Sequence, residues 1–127
     1  MAQLYRGADC FVFPTSGEGW GMPILEAIAC GIPTIATGWG AQEDFLDGET
    51  GYPIHIKRLV PCAFQQHNYY KGFNWALPDF EHMVHLMQHV YENRDAAKQK
   101  ARKVAEKVIQ QWTWERTAAK ILNQLSY

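Results

Sequence analysis

The sequence contains no long hydrophobic run and carries almost no net charge. No uninterrupted apolar stretch approaches the ~18 residues that a membrane-spanning helix requires, and the amino terminus lacks the basic and apolar segments of a secretory signal peptide. The formal net charge of -1 excludes an overall positive field, so nucleic acid is not an expected partner. The expected location is the cytoplasm, with the full-length protein either free there or at the periphery of a membrane.

Cysteine is scarce, and its spacing argues against disulfide and metal chemistry. The three cysteines, Cys10, Cys30 and Cys62, are odd in number and form no C-x-x-C pair. They lie in or beside apolar runs, which favours reduced thiols over a disulfide framework or a zinc site. A redox role is therefore not expected.

Short apolar runs alternate with a helical pattern in the first half of the chain. Residues 10–13, 33–37 and 51–54 predict three short strands. Pro23 and the apolar spacing after it predict a helix that ends at Gly31. Because strand, helix, strand and strand follow in that order, the expected fold is α/β, a partial Rossmann-like domain with a short parallel sheet of about three strands.

The second half of the chain predicts helices after an irregular segment. Residues 55–77 show no clean period and hold several aromatic residues, which indicates a structured insertion. Helices are predicted over residues 78–93 and 95–111, and Thr113 is the predicted cap of a last helix. The apolar residues expected to face inward in that helix are Ala118, Ile121, Leu122 and Leu125.

The most informative stretch is SGEGWGMPILEA, residues 16–27, where a strand gives way to a helix. Open α/β sheets bind ligands at the carboxyl ends of their strands, and a helix start near Met22 attracts phosphate. The carboxylate of Glu26 suits a vicinal diol such as ribose, and Glu18 suits a second hydroxylated ring. Together they describe a nucleotide-sugar, although solvated acids and turn-forming glycines are the simpler interpretation. A dinucleotide-binding oxidoreductase is disfavoured because position 24 is not a third glycine.

Residues 8–37, ADCFVFPTSGEGWGMPILEAIACGIPTIAT, resemble the E-x7-E signature region of retaining GT-B glycosyltransferases. Three further segments agree with that family: GWGAQEDFLDGETGYPI, WALPDFEHM and WTWERTAAKIL. The resemblance implies that residues 1–127 form one truncated domain, the later part of the C-terminal Rossmann-like domain, with a helical C-terminal half. Either Glu43 or Asp44 corresponds to a recurrent acid of the family.

The resemblance also implies a role for each residue of the motif. Glu26 corresponds to the glutamate that binds the ribose hydroxyls of the nucleotide. Glu18 is the candidate catalytic residue beside the donor sugar and the reacting centre, where positioning is implied in preference to covalent attack. The backbone contacts to sugar and diphosphate are implied for Gly19, Trp20, Gly21 and Met22. Trp20 replaces the usual phenylalanine, which predicts a narrower pocket.

The family chemistry is transfer of a sugar from a nucleotide-diphosphate sugar to an acceptor hydroxyl with retention at the anomeric carbon. The nucleotide-sugar is a substrate, no cofactor is expected, and the absence of D-x-D fits a transferase that needs no metal. The expected partners are this donor, an N-terminal acceptor domain and a second copy meeting an exposed sheet edge. The chain alone is expected to be inactive. The alternative is a non-catalytic binding or assembly module derived from such an enzyme.

Three other features allow two interpretations each. His82, His85 and His89 share one helix face, where a solvated polar face is favoured over a transition-metal site. For the basic helix over residues 94–107, a solvated surface helix is favoured over one that binds a membrane, because its apolar stripe consists mainly of alanine and valine. The aromatic residues of segment 64–75 either stack on a sugar or, more commonly, cover part of the fold.

Overall fold

Three short strands form a parallel sheet in the order β1-β2-β3. The structure, a computed structural model, describes residues 2–125. Strand β1 is Phe11–Phe13, β2 is Thr34–Thr37 and β3 is Tyr52–Ile54. Helix α1 (Ala2–Arg6) precedes the sheet, and α2 (Met22–Ala29) connects β1 to β2. The predicted α/β fold with about three parallel strands is confirmed.

Strand β2 lies at the centre of the sheet, and its four residues are all buried. Successive strand residues point to opposite faces, so Ile35 and Ala36 enter different cores. Ala36 packs in a cluster with α2 and Phe45, whereas Ile35 packs with Ile54 and Val90. Burial on both faces explains why this strand is an almost continuous apolar run in the sequence.

Strand β1 forms one edge of the sheet. Among residues 2–125 its only strand partner is β2, with Phe11 opposite Thr34 and Phe13 opposite Ala36. The side chains of β1 are half-buried, and the Phe11 ring contacts Tyr5 of α1 at a centroid distance of 5.5 Å. Self-association through this edge stays a prediction.

The insertion after β3 is an antiparallel hairpin, which the sequence analysis did not predict as strands. Strand β4 (Ile56–Pro61) pairs with β5 (Asn74–Pro78), and Val60 lies opposite Trp75. The ladder is irregular between Ile56 and Arg58, so the sequence shows no simple alternation. The prediction of a structured insertion is confirmed, but the period was hidden by this irregularity and by the long connection between the strands.

Three helices complete the chain. Helix α3 is Phe80–Glu92, α4 is Arg94–Gln111 and α5 is Trp114–Leu125. Helix α4 packs against α2 through a stripe of short side chains. Its buried residues are Ala97, Ala101, Ala105 and Val108. None of the helices in the described range is both long enough and apolar enough to cross a membrane.

Helix α5 differs from its prediction. Thr113 caps it as expected, because the Arg116 N–H donates to Thr113 Oγ1 at 3.2 Å. The predicted inward face, Ala118, Ile121, Leu122 and Leu125, is not buried, and the exposed fraction reaches 74% for Leu125. A helical period shows which face is apolar but not whether another element covers it.

Candidate functional site

The loop that joins β1 to α2, residues 14–21, lies at the carboxyl end of the sheet and is called the site loop here. Thr37, the last residue of β2, donates its hydroxyl to the Thr15 carbonyl oxygen at 2.6 Å. Buried Gln42 donates its amide nitrogen to the Thr37 carbonyl oxygen at 3.0 Å. Strand β5 adds a second tie to the loop, because the Ala76 N–H donates to the Ser16 carbonyl oxygen at 2.9 Å. The loop is therefore fixed by the central strand and by the hairpin.

Gly21 ends the site loop and caps the N-terminus of α2. Its φ of 83° lies in the left-handed region, and a Cβ there would be 3.1 Å from Ile24 Cδ1. Pro23 carries no N–H, and no described residue accepts a hydrogen bond from the Met22 N–H. The Met22 side chain is 46% exposed. This helix start leaves an amide free to bind an anion.

Glu26 lies one turn into α2 and is held by a residue that the sequence analysis did not select. Tyr5 donates its hydroxyl to Glu26 Oε2 at 2.9 Å. Burial raises the pKa of Tyr5, and the hydrogen bond to Glu26 raises it further, so the phenol stays protonated as a donor. Within residues 2–125 no donor contacts Glu26 Oε1. That oxygen is available to a ligand hydroxyl.

Glu18 is oriented in a similar way within the site loop. The Thr15 hydroxyl lies 2.9 Å from Glu18 Oε1 and donates to it. The same hydroxyl accepts from the Gly17 N–H at 3.3 Å, which closes a tight local turn. Glu18 is half-buried. Each glutamate of the motif thus has one carboxylate oxygen fixed by a hydroxyl group.

Trp20 belongs to the core and not to the pocket wall. Its ring centroid lies 5.7 Å from Phe45 and 5.3 Å from Trp112, and the three rings pack together. The indole therefore points inward, which contradicts the expectation that its greater size narrows the pocket. Gly19 is exposed, and a Cβ there would meet nothing within 4 Å. The backbone on either side of Trp20 stays accessible because this indole packs into the core.

A comparison with known protein families shows which family the chain belongs to. The family model "Glycosyl transferases group 1" matches residues 1–71, which is more than half of the chain. The chain belongs to the group 1 glycosyl transferases. The resemblance seen in residues 8–37 is confirmed at this level.

Individual relatives of this glycosyl transferase chain are several times longer. It is 46% identical over 65 residues to the lipopolysaccharide core biosynthesis mannosyltransferase LpsB of Rhizobium meliloti, covering 46% of this chain and 18% of the relative. A sulfoquinovosyl transferase of Arabidopsis thaliana is 24% identical over 98% of this chain and 21% of the relative. A crystal structure of the pneumococcal O-GlcNAc transferase GtfA with UDP and GlcNAc aligns with a TM-score of 0.46 and 21% identity, covering 95% of this chain and 22% of that one. The chain spans about a fifth of the length of these relatives.

The two acids after β2, Glu43 and Asp44, have different environments. Gly40 donates its N–H to Glu43 Oε2 at 2.8 Å, so Glu43 closes the short helical turn Ala41–Asp44. Asp44 is exposed and lines a groove of about 510 Å³. Neither geometry selects one of them as the family's recurrent acid. Gln42 between them is fully buried, and its Oε1 has no partner among the described residues.

Two of the three histidines of α3, His85 and His89, are exposed as expected of a solvated face, whereas His82 is half-buried. His82 stacks on His55 at a centroid distance of 3.8 Å, and its Nδ1 accepts from the His55 N–H at 3.0 Å. Burial lowers the pKa of His82, and the positive form of His55 lowers it further. His89 lies 6.0 Å from the Tyr52 ring. Within the described range no group of three potential ligands is arranged to hold a metal ion.

Proposed function

We propose that this chain binds the nucleotide-diphosphate sugar donor of a retaining glycosyltransferase. One observation carries the proposal: two glutamates, each with one carboxylate oxygen held by a hydroxyl, lie on either side of a helix N-terminus that no described side chain caps. Carboxylates suit ring hydroxyls, and a helix N-terminus suits phosphate. A donor molecule places its phosphates between two hydroxylated rings in the same order.

Glu26 is assigned to the ribose. An ionised carboxylate accepts several hydrogen bonds, and Tyr5 occupies only Oε2, so Oε1 accepts from the vicinal hydroxyls. Tyr5 also restricts the rotation of this side chain, which lowers the entropy lost when the ribose binds. Its own position is set by burial and by the Phe11 ring.

The diphosphate is assigned to the backbone of residues 19–22. The amide of Met22 points out of the first turn of α2, where the helix dipole favours negative charge. Charge that develops on the departing diphosphate during transfer is stabilised by the same amides. This arrangement supplies the stabilisation through the protein backbone, with no metal ligand required.

Glu18 is assigned to the transferred sugar. Its carboxylate is held by Thr15 in a loop that is tied to β2 and β5, so it is preset for hydrogen bonds to ring hydroxyls. A positioning role follows from this fixed geometry better than attack on the anomeric carbon. The acceptor molecule is bound by a further domain. The isolated chain is therefore expected to bind the donor without turnover.

Saturation-transfer NMR of the 127-residue chain against UDP-, GDP- and ADP-sugars tests the proposal. The expected result is transfer to the ribose protons of one nucleotide, lost in Glu26→Gln, which keeps the shape and the acceptor for Tyr5 but removes the charge. Glu106→Gln, a change at an exposed acid of α4, serves as the matched control and leaves the signal unchanged. A folded chain that shows no transfer from any donor contradicts the proposal.

A further inference from the structure

Two tryptophans from distant parts of the chain flank the site loop directly before Glu18. A Cβ built on Gly17 would lie 3.6 Å from Trp75 Cδ1 and 3.8 Å from Trp39 Cζ3. Trp39 follows the carboxyl end of β2, and Trp75 lies on β5 of the hairpin. Trp75 also lies beyond residues 1–71, the part matched by the family. The two indoles therefore meet at the loop because of the tertiary fold and not because of a local motif.

Trp75 is held in place on both sides. Its main chain pairs with Val60, and the next residue, Ala76, donates its N–H to the Ser16 carbonyl oxygen at 2.9 Å. Its ring makes edge contacts with Phe64 at 5.8 Å and Tyr70 at 6.5 Å. The indole is half-buried, and no described residue accepts a hydrogen bond from its N–H. An aromatic surface with a free N–H donor thus lies beside Gly17, the residue that precedes Glu18.

From this geometry we propose that Trp75 and Trp39 contact the pyranose ring of the donor and stabilise its binding. The inference rests on the proposed function, which places the ribose at Glu26, the diphosphate near Met22 and the sugar at Glu18. Continuing that order along the loop leads from Glu18 to Gly17 and the two indoles. Aromatic rings pack on the apolar C–H face of a pyranose, and an indole N–H donates to a ring hydroxyl.

Other aromatic residues of the hairpin lack this position. Tyr69 is 86% exposed, and Phe73 is also largely exposed. Neither is among the atoms nearest to a Cβ built on the glycines of the site loop, whereas both indoles lie within van der Waals distance of such a Cβ on Gly17. Tyr69→Ala is therefore a matched control that removes an aromatic ring from the same hairpin.

The test compares the dissociation constants of a nucleotide-sugar and of the corresponding nucleoside diphosphate, measured by titration of the 127-residue chain. Trp75→Ala is expected to raise the dissociation constant of the nucleotide-sugar by roughly three- to tenfold, which is the range of one lost aromatic contact. The dissociation constant of the nucleoside diphosphate is expected to stay unchanged. Trp39→Ala is expected to act in the same direction. Tyr69→Ala changes neither constant.

A second variant separates binding from folding. Trp75→Phe keeps an aromatic ring against Phe64 and Tyr70 but removes the indole N–H and one ring. Slow hydrogen exchange of the Ala76 amide, which bonds to Ser16, shows that the hairpin remains docked. With the hairpin docked, equal affinity of wild type and both Trp75 variants for the nucleotide-sugar overturns the inference while the proposed function stands. Failure of the wild type to bind any nucleoside diphosphate overturns the proposed function and this inference with it.

Discussion

The two ends of the parallel sheet are held together by different kinds of interaction. At the carboxyl end, Thr37 donates a neutral hydrogen bond to the site loop, Gln42 donates another to the Thr37 carbonyl oxygen, and both side chains are fully buried. At the amino end, the exposed carboxylate of Asp9 meets Arg94 Nη2 at 3.3 Å and Lys98 Nζ at 2.9 Å. Buried hydrogen bonds are directional and costly to break, whereas exposed ion pairs are screened by water and salt. The loop that carries the candidate site is therefore held by a neutral hydrogen bond from a buried side chain, which salt does not screen.

The largest expected effect is at Gly21, the cap of α2. Gly21→Ala places a side chain at a φ of 83° and brings its Cβ to 3.1 Å from Ile24 Cδ1. The backbone term alone is about 1–2 kcal/mol, and the close contact adds to it, so we expect a loss of about 2–4 kcal/mol in the free energy of unfolding. Urea denaturation followed by circular dichroism measures this change.

Gly48 provides the control at the other end of the sheet. A Cβ there would meet nothing within 4 Å, and its φ is not positive, so Gly48→Ala is expected to change the free energy of unfolding by less than about 0.5 kcal/mol. Equal losses for the two variants would show that the tight packing around Gly21 is not what holds the site end.

Two threonines at opposite ends of β2 are expected to have smaller effects on stability, but they differ in their expected effect on donor binding. Thr37 donates to the site loop, whereas Thr34 donates to Ile32 within its own segment at 2.8 Å. Thr37→Val and Thr34→Val each leave a carbonyl oxygen without its donor, and each is expected to cost about 1–2 kcal/mol in urea denaturation. Only Thr37→Val is expected to weaken nucleotide-sugar binding in the NMR titration. Equal binding by both variants would mean that this hydrogen bond does not position Glu18.

The sequence predicts the elements of the sheet and the place of Glu18 and Glu26, because both depend on local signals. Apolar runs mark the strands, and the strand order places the loop after β1 at the carboxyl end of the sheet. Tyr5 and Trp75 reach the site across long stretches of chain, and nothing in their own neighbourhoods marks them as site residues. The helical period correctly identified the apolar face of α5, but the prediction that this face is buried was wrong. Burial requires a second element that covers the face, and the period of one helix does not show whether such an element is present.

His82 gives the site end a pH dependence that begins near neutral pH. Burial and His55 lower the pKa of His82, whereas Asp79 raises it and His85 lowers it slightly. The unfolded chain then binds a proton at higher pH than the native state, so stability falls as the pH drops below the ordinary value of 6.5. Repeating the urea titration from about pH 7.5 to about pH 5 is expected to show this loss, and the window follows from the lowered pKa.

His82→Asn separates this effect from general acid destabilisation. The Asn Oδ1 replaces Nδ1 as acceptor for the His55 N–H but does not titrate, so the slope of stability against pH is expected to decrease. His67→Asn, at an exposed histidine of the hairpin connection, leaves the slope unchanged. An unaltered slope in His82→Asn would assign the pH dependence to other groups.

The smallest effect is expected at Asp9. Hydrogen bonding to Lys98 and the charges of Lys98 and Arg94 lower the pKa of this carboxyl, so any stabilisation is present at neutral pH and disappears as the pH falls below 3.8. Asp9→Asn is expected to shift the urea midpoint by no more than the scatter of the measurement, and about 0.5 M salt removes even that difference. If Asp9→Asn lowered the free energy of unfolding as much as Thr37→Val does, the comparison between the two ends of the sheet would be reversed. Charge would then hold α4 to the sheet, where the structure shows buried Ala97 packed with Ile35 and Ile54.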